Sequence, residues 1–439
     1  MLSLRSISLI AAVGLCHFSA HATETDDIKQ QLAALKAQIA ALEQRLAEQE
    51  VASEKTAAIE AQQQLAAADD SKKSQDGIKL GGAIRTNYSH TSYSDGNKNR
   101  GGDFAFDIFR LNLNGSIGDV LLNAEIRFFD YMTAVKYAYV GYQLNEDWQV
   151  QAGITQVPFG NWPYNSHNYF FSTNYYLGLE DDHDLGIMFK RQLADNWQLD
   201  LGFFKNDELG GVDGYVGSRA DRYSYDVVGY RQSTDGIYDE PAQPLGEYNT
   251  LAGRFAYQLE HSKDFTTELG LSALAGGLHD GQRRAGSYNA WALHVNSHYQ
   301  RWNLQLQHGE YHYDIDDVDR MAVGAYAFYD SIAAKAKTST VNLAYSLPIE
   351  WGPVTGLQFY NNYGLVYDKS DNSRDTMMNV TGFSVAAGGL FTYFDLVHAK
   401  NQPFVGGSAA GDSSETASRM LVLFLESCKK VAHQLRRLK

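Results

Sequence analysis

The chain has 439 residues and combines 28 Tyr, 21 Phe and 39 Gly with only 7 Pro, and its mean hydropathy is negative. After the leader, no stretch approaches the roughly 18 to 20 consecutive apolar residues of a transmembrane helix, which excludes a protein of helical spans. The formal charge of −15 argues against nucleic acid as a partner and fits an exported protein with Asp-rich loops.

Residues 1–22 have the pattern of a secretory signal peptide. An arginine precedes the apolar run 7–15, and Ala20 and Ala22 are the small residues expected before a cleavage site after Ala22. Lipid attachment at Cys16 is the alternative, but the bulky leucine before that cysteine disfavours it.

Residues 23–61 carry a heptad pattern. Apolar residues alternate at spacings of four and three, at Ile28, Leu32, Leu35, Ile39, Leu42 and Leu46. This predicts an α-helical coiled coil and, because both seam positions mix Leu with Ile, a homotrimer. A single helix on the barrel mouth and a flexible polar spacer are the alternatives. Residues 62–76, rich in Ala, Asp, Ser and Lys, predict a linker.

From residue 77 to about 425, apolar residues alternate with polar or small ones in segments separated by Gly- or Asp-rich breaks. Successive side chains of a strand point to opposite faces, so one face suits lipid and the other suits water. The pattern predicts an all-β fold, a transmembrane antiparallel β-barrel of about 16 strands. Fifteen segments are recognisable: 78–90, 103–115, 119–131, 134–144, 147–157, 184–192, 196–205, 248–259, 264–275, 288–299, 301–313, 338–348, 353–367, 375–387 and 390–400.

The last strand should lie in the final thirty residues, where the pattern weakens. Residues 426–439 form an atypical basic tail that contains Cys428, the one cysteine after the leader, so a disulfide framework is excluded. Leu421, Leu425 and Leu435 could mark one face of a surface helix. A sequence altered after about Met420 is the alternative, and either interpretation would truncate the sixteenth strand.

Four segments are more specific than the alternation: FRLNLNG at 109–115, AYVGY at 138–142, QVPFG at 156–160 and NYFFSTNYYLGLEDD at 168–182. In this order they resemble the phosphate-selective porin O and P family of Gram-negative outer-membrane channels. The resemblance implies a sixteen-stranded, trimeric, water-filled pore whose third loop folds into the channel. Pro158, Phe159 and Gly160 match the family's turn before that loop, where Pro and Gly end the strand and redirect the chain.

Four arginines are predicted to face the water-filled interior. Arg110 matches the family's second-strand arginine, and alternation places it opposite Phe109. The same parity turns Arg85, Arg127 and Arg254 inward. Arg85, Arg110 and Arg127 would form one basic wall because they lie on the first three strands, which are neighbours in the barrel.

The presumed inward loop supplies opposite charge. Its acids, with one acid just beyond it, are Glu180, Asp181, Asp182 and Asp184. An acidic loop facing a basic wall would filter ions through a transverse field. The alternative is that these carboxylates cap the loop or pair with the lumen arginines purely for stability. The loop has no Lys or Arg but contains Tyr164 and His167. Such groups suit sugars or other neutral polar solutes. We therefore expect solutes of this kind, and selectivity for phosphate or for anions in general is the alternative.

The sequence predicts no cofactor, no metal site and no enzyme activity. The Asp run 314–319 could hold calcium, but such runs are more often solvated loops. Ser166 beside His167 is the nearest candidate for a nucleophile, and there is no Gly-x-Ser-x-Gly motif.

The function predicted is an outer-membrane porin for passive diffusion of small hydrophilic solutes or ions, surrounded by outer-membrane lipid, with the coiled coil in the periplasm. In the competing hypothesis the coiled coil makes periplasmic or cell-wall contacts, and the protein anchors the envelope.

Overall fold

The computed structural model describes residues 77–168, 171–194, 196–214, 216–412 and 418–431. The predicted signal peptide, coiled coil and linker lie outside these residues. None of the helices among these residues has the length and apolar composition of a membrane-spanning helix.

Sixteen antiparallel strands form a closed barrel, which confirms the predicted antiparallel β-barrel and its strand number. In barrel order they are β1 (Gly77–Thr91), β2 (Asp103–Ile117), β3 (Val120–Phe128), β4 (Thr133–Gln143), β5 (Trp148–Gln156), β6 (His183–Ala194), β7 (Trp197–Asp207), β10 (Gly246–Ser262), β11 (Phe265–His279), β12 (Arg284–Tyr299), β13 (Trp302–Asp314), β16 (Lys335–Trp351), β17 (Val354–Tyr367), β18 (Thr376–Ala387), β19 (Leu390–Lys400) and β20 (Ser418–Val431). Pairing of β1 with β20 closes the barrel, so that none of the described barrel strands is an edge strand.

The two rims of the barrel differ. On the rim where β1 begins, neighbouring strands are joined by turns of two to four residues. The opposite rim carries the longer connections, including residues 157–182, 208–245 and 315–334, and the short helix α1 (Asp95–Arg100) in the first of them. Short turns on one side and long loops on the other are typical of outer-membrane barrels.

Alternation along the strands sorts the side chains as expected for a barrel in lipid. On β10, Phe255 is 46% exposed on the outer face whereas the neighbouring Arg254 is 1% exposed inside. Ile84 is exposed next to buried Arg85 on β1 in the same way. On both strands the arginine is thus the buried neighbour of an exposed apolar residue.

The connections 208–245 and 315–334 together form a small sheet. It has the strand order β15 (Phe328–Ala333), β14 (Arg320–Ala325), β8 (Asp226–Tyr230) and β9 (Gln243–Pro244). Its residues join those of the third loop and of the loop-side strand ends in one hydrophobic core. The core thus packs these loops against the strand ends through aromatic and aliphatic side chains.

The end of the chain differs from the prediction. Residues 418–431 form the full-length strand β20 rather than a surface helix or a truncated strand, and they include part of the stretch assigned to the basic tail. β20 pairs with both β19 and β1. The two edges that it joins would otherwise leave backbone groups unpaired in lipid, so tertiary pairing outweighs the helix-like spacing of the leucines.

Candidate functional site

The third loop, residues 157–182, reaches from β5 to the far side of the barrel. Asn161 N donates to Gln307 Oε1 on β13 at 2.7 Å, and Asn165 Nδ2 donates to Thr340 Oγ1 on β16 at 2.9 Å. These strands lie six and seven places along the barrel from β5. The loop is therefore hydrogen-bonded to inward-facing groups of the opposite wall.

His167 extends the same attachment. Its Nε2 lies 2.6 Å from Asn303 Oδ1 on β13 and its Nδ1 lies 2.9 Å from Asn362 Oδ1 on β17. A neutral imidazole has one donor and one acceptor, and amide groups can supply either partner. Burial lowers the pKa of His167, which favours the neutral ring. Although the sequence indicated a pore-lining residue, His167 lies where it joins the loop to the wall.

The predicted turn starts the crossing. Pro158, Phe159 and Gly160 are all buried, and Gly160 has φ +61°. The Gly160 N–H donates to Ser272 Oγ at 3.0 Å, and its carbonyl accepts from Arg254 Nε at 2.9 Å. Left-handed backbone favours Gly, so this residue can bend the chain inward while both of its peptide groups remain bonded to the wall.

Four cations lie on four neighbouring strands: Arg85 on β1, Arg110 on β2, Arg127 on β3 and Lys136 on β4. We call them the basic row. Each member has a carboxylate partner: Arg85 with Asp107, Arg110 with Glu426 at 2.9 Å, Arg127 with Glu125 at 2.6 Å and Lys136 with Asp181 at 2.7 Å. The four cations and four carboxylates balance in formal charge. The predicted positively charged wall is therefore neutralised, and three of its four counter-charges come from the strands rather than from the loop.

The sequence did not identify Lys136 as an inward-facing residue, because the strand alternation breaks at this position. Tyr137 pairs with Glu125 and Val135 pairs with Ile126, so Lys136 is an extra residue on β4. This β-bulge turns Lys136 inward beside Tyr137, whereas strict alternation would turn the two residues to opposite faces. The short segment between the glycine-containing AYVGY motif and the strand start carries no Gly or Pro that would signal the bulge.

The third loop meets the basic row at Asp181. Its Oδ2 accepts from Lys136 Nζ at 2.7 Å and from Tyr223 OH at 2.6 Å. Tyr164 OH lies 3.3 Å from the same ammonium, and Arg127 Cζ lies 4.5 Å from the centre of the Tyr223 ring. One loop carboxylate and two tyrosines thus surround the last cation of the row.

The sequence predicted that Glu180, Asp182 and Asp184 would also face the basic row, but in the structure they contact other groups. Glu180 accepts from Asn165 N at 2.8 Å, and burial raises its pKa to about 7. Asp182 and Asp184 lie instead beside Asp226 of β8. Burial, with the nearby carboxylates of Asp226 and others, raises the pKa of Asp182 well above its usual range. Parity could not assign these directions because the loop has no regular repeat.

Arg254 is likewise separate from the other three predicted arginines. It lies on β10 and pairs with Glu268 on β11 at 2.6 Å, while Asp200 on β7 is 3.9 Å away. Together with its bond to the Gly160 carbonyl, this makes Arg254 a support for the loop turn.

An aromatic cluster packs the loop against the small sheet. Its members include Tyr175, Tyr176, Tyr223, Tyr225 and Tyr326, all of which are nearly or fully buried. Tyr175 and Tyr176 belong to the third loop, and their ring centres lie 5.9 and 5.4 Å from that of Tyr225. Such ring contacts add to the hydrophobic burial. They fix the loop between the strands and the connection 208–245.

A closed sixteen-stranded barrel with an apolar outer face, a polar inner face and a loop across its interior is a membrane barrel of the porin type. Residues 78–238 match the family model described as phosphate-selective porin O and P. The match contains the four motifs on which the resemblance was first based, and the chain resembles that family. A search of curated proteins finds no match.

Solved structures agree on the fold. The chain is similar to an anion-selective porin from Comamonas acidovorans, with 13% identity, a TM-score of 0.50, and coverage of 80% of this chain and 99% of that one. It is similar to OprB of Pseudomonas putida, with 9% identity, a TM-score of 0.52, and coverage of 80% and 94%. It is also similar to the outer membrane channel DcaP of Acinetobacter baumannii, with 11% identity, a TM-score of 0.50, and coverage of 80% and 97%.

Proposed function

We propose that this protein is a porin of the bacterial outer membrane through which small hydrophilic solutes diffuse passively. The observation that carries the proposal is the third loop, which is bonded to the far wall from within a closed barrel. A loop in this place narrows the lumen and forms the constriction that selects solutes.

The conductance of single channels tests this proposal. Replacing residues 161–168 by a Gly-Ser segment removes the bonds of Asn161, Asn165 and His167 to the wall. We expect conductance in planar bilayers to increase, because the loop no longer holds its position across the lumen. The matched control replaces the exposed connection 280–283, and it should leave conductance unchanged. Equal conductance in both variants and the wild type would contradict a constriction at the third loop.

For selectivity, we propose weak ionic preference and passage of neutral polar solutes. Arg85, Arg110, Arg127 and Lys136 are balanced by four carboxylates, and tyrosine and amide groups surround them. Strong selection of phosphate would need several donors that converge on the anion without carboxylate partners. The four neighbouring cations favour an anion-selective channel as the second candidate.

The reversal potential in a salt gradient separates these candidates. Glu426→Gln leaves the row with one excess positive charge and should shift selectivity toward anions. Arg110→Gln leaves an excess negative charge and should shift it toward cations, whereas Arg110→Lys keeps the charge and should have a small effect. A wild-type channel that is already strongly anion-selective would support the second candidate. If neither neutral variant moves the reversal potential, the row does not set the selectivity.

We further propose that the barrel is a homotrimer and that the predicted coiled coil, residues 23–61, extends into the periplasm. The support is that β1 begins on the rim of short turns, which is the periplasmic rim in barrels of this type. Deleting residues 24–60 and measuring chemical cross-linking and peptidoglycan binding tests the role of the segment. Loss of trimers supports oligomerisation, whereas loss of envelope binding with intact trimers and conductance supports an anchor.

A further inference from the structure

Three carboxylates from different segments meet on the loop side of the barrel. Asp182 ends the third loop, Asp184 is the second residue of β6, and Asp226 is the first residue of β8. One oxygen of each lies within 4.8 Å of the corresponding oxygens of the other two. All three residues are buried. We call them the acidic cluster.

Two oxygens of the acidic cluster have no hydrogen-bond partner among the described residues, namely Asp182 Oδ1 and Asp184 Oδ1. Asp182 is 8% exposed and Asp184 is 2% exposed, and both line one small cavity together with Asp226, Glu247 and Thr250. A buried oxygen without a hydrogen-bond donor destabilises the fold, and more so if the oxygen is charged. Two such atoms on one cavity indicate a site that accepts a cationic ligand.

The charges around the cavity are unbalanced. Arg222 donates to Asp226 Oδ2 at 2.5 Å and to Asp207 Oδ2 at 2.9 Å, and Arg219 also pairs with Asp207. These two arginines are shared within a group of six buried carboxylates: Asp182, Asp184, Asp207, Glu208, Asp226 and Glu247. Burying an unpaired carboxylate is strongly unfavourable. A divalent cation would offset much of the excess negative charge.

We propose that the acidic cluster binds a calcium ion. Its donors are carboxylate oxygens, which hard cations prefer, and Ca²⁺ accepts oxygen ligands at about 2.3 to 2.6 Å in flexible geometry. Two oxygens on opposite sides of Ca²⁺ are therefore roughly 4.6 to 5.2 Å apart, so the three oxygens, which lie within 4.8 Å of one another, can all bind one Ca²⁺ ion. Mg²⁺ requires near-ideal octahedral geometry and usually keeps several of its waters, so a buried group of protein carboxylates suits Ca²⁺ better. Glu247 and Thr250 on β10 lie on the same cavity and offer further oxygen atoms.

The ion would join three parts of the molecule. Asp182 and Asp184 fix the end of the third loop to β6, while Asp226 belongs to the small sheet. Calcium would therefore hold the third loop and the connection 208–245 together at one point. This inference goes beyond the proposed channel function and does not depend on it, because binding of the ion can be measured without conductance.

Terbium luminescence tests the site directly in the purified full-length protein. Tyr225, Tyr288 and Tyr313 line the cavity and can sensitise Tb³⁺ emission when the ion binds beside them. After chelator treatment, we expect emission that Ca²⁺ removes at concentrations at least tenfold below those of Mg²⁺. No sensitised emission, or no competition by Ca²⁺, overturns the proposal.

Matched variants locate the ion. Asp182→Asn and Asp184→Asn should each weaken Ca²⁺ binding at least tenfold in calorimetric titration. Asp316→Asn, in the exposed Asp run 314–319, should bind as the wild type does. If Asp316→Asn loses binding while the other two retain it, the ion belongs to that run and the proposal is wrong.

Thermal unfolding of the wild-type protein tests the same site without relying on variants that must fold correctly. Added Ca²⁺ should raise the unfolding temperature of the wild type, and a chelator should reverse the shift, because a ligand that binds the native state stabilises it. An unfolding temperature that is the same with Ca²⁺ and with chelator means that the carboxylates are protonated instead, and this outcome also overturns the proposal.

Discussion

Asp181→Asn tests whether the contact between the third loop and the basic row is dry or water-filled. The side chains of Lys136 and Asp181 are 5% and 2% exposed, and their charged atoms are 2.7 Å apart. Asn tolerates the φ of +53° at this position and can still accept from Tyr223. The change therefore removes mainly the negative charge and leaves a buried ammonium without its carboxylate.

If the pair is buried and dry, the loss should destabilise the barrel by about 3 to 5 kcal/mol. Adding Lys136→Met should restore most of that stability, because no unpaired charge remains. Urea titration in lipid vesicles with tryptophan fluorescence measures the free energy of unfolding of the single and double variants. The control is Asp95→Asn on α1, which removes an exposed pair with Lys98 that is 3.3 Å long and should cost about 0 to 1 kcal/mol.

A cost for Asp181→Asn as small as that of Asp95→Asn would refute this reasoning. It would mean that water screens the pair inside an open channel, where an ion pair contributes little. The loop would then be held by the hydrogen bonds of its tip and by the aromatic cluster rather than by charge.

Two further changes address the loop. Gly160→Ala should destabilise the barrel by about 1 to 2 kcal/mol because its φ is left-handed. A further cost is expected because the new Cβ would displace the Gln307 amide, which would then lose its hydrogen bond from Asn161 N. Gly388→Ala, with φ +62° and open space, should show only the first cost, and urea titration compares the two variants. Glu180→Gln should remove a pH dependence. The raised pKa of about 7 means that the native state keeps a proton that the unfolded chain loses near its ordinary pKa of 4.5, so wild-type stability should fall as pH rises between these values, by roughly 3 kcal/mol in all. Urea midpoints that fall equally in the wild type and in Glu180→Gln between pH 5 and pH 8 would contradict this assignment.

The alternation predicted most of the barrel because it follows from two strong constraints. Because lipid lies outside and polar groups lie inside, each strand can place its side chains in only one of two alternations. The sequence alone therefore assigned Ile84 and Phe255 to the exposed outer face. It assigned Arg85 and Arg254, which are buried, to the inner face. The closing strand was less visible. Its assignment depends on pairing with β1, which is more than 300 residues away in the chain, and no local pattern records such a partner.

The candidate site was predicted less completely because it uses the places where alternation fails. Lys136 is the extra residue of a bulge on β4, and Asp107 is the extra residue of another bulge, since Arg85 pairs with Ile108 and Thr86 pairs with Phe106. Each bulge places two successive side chains on the inner face.

One of the added side chains is a base and the other is an acid, and each completes an ion pair of the row. Without the two bulges, strict parity would turn Lys136 and Asp107 toward lipid, where a charge is costly. Arg85 would then lose its nearest carboxylate, and Asp181 would meet the wall without a cation. The charge balance on which we base weak ionic selectivity therefore depends on these two irregularities of the strands. A deletion that restores regular pairing at either one should change the selectivity as well as the stability.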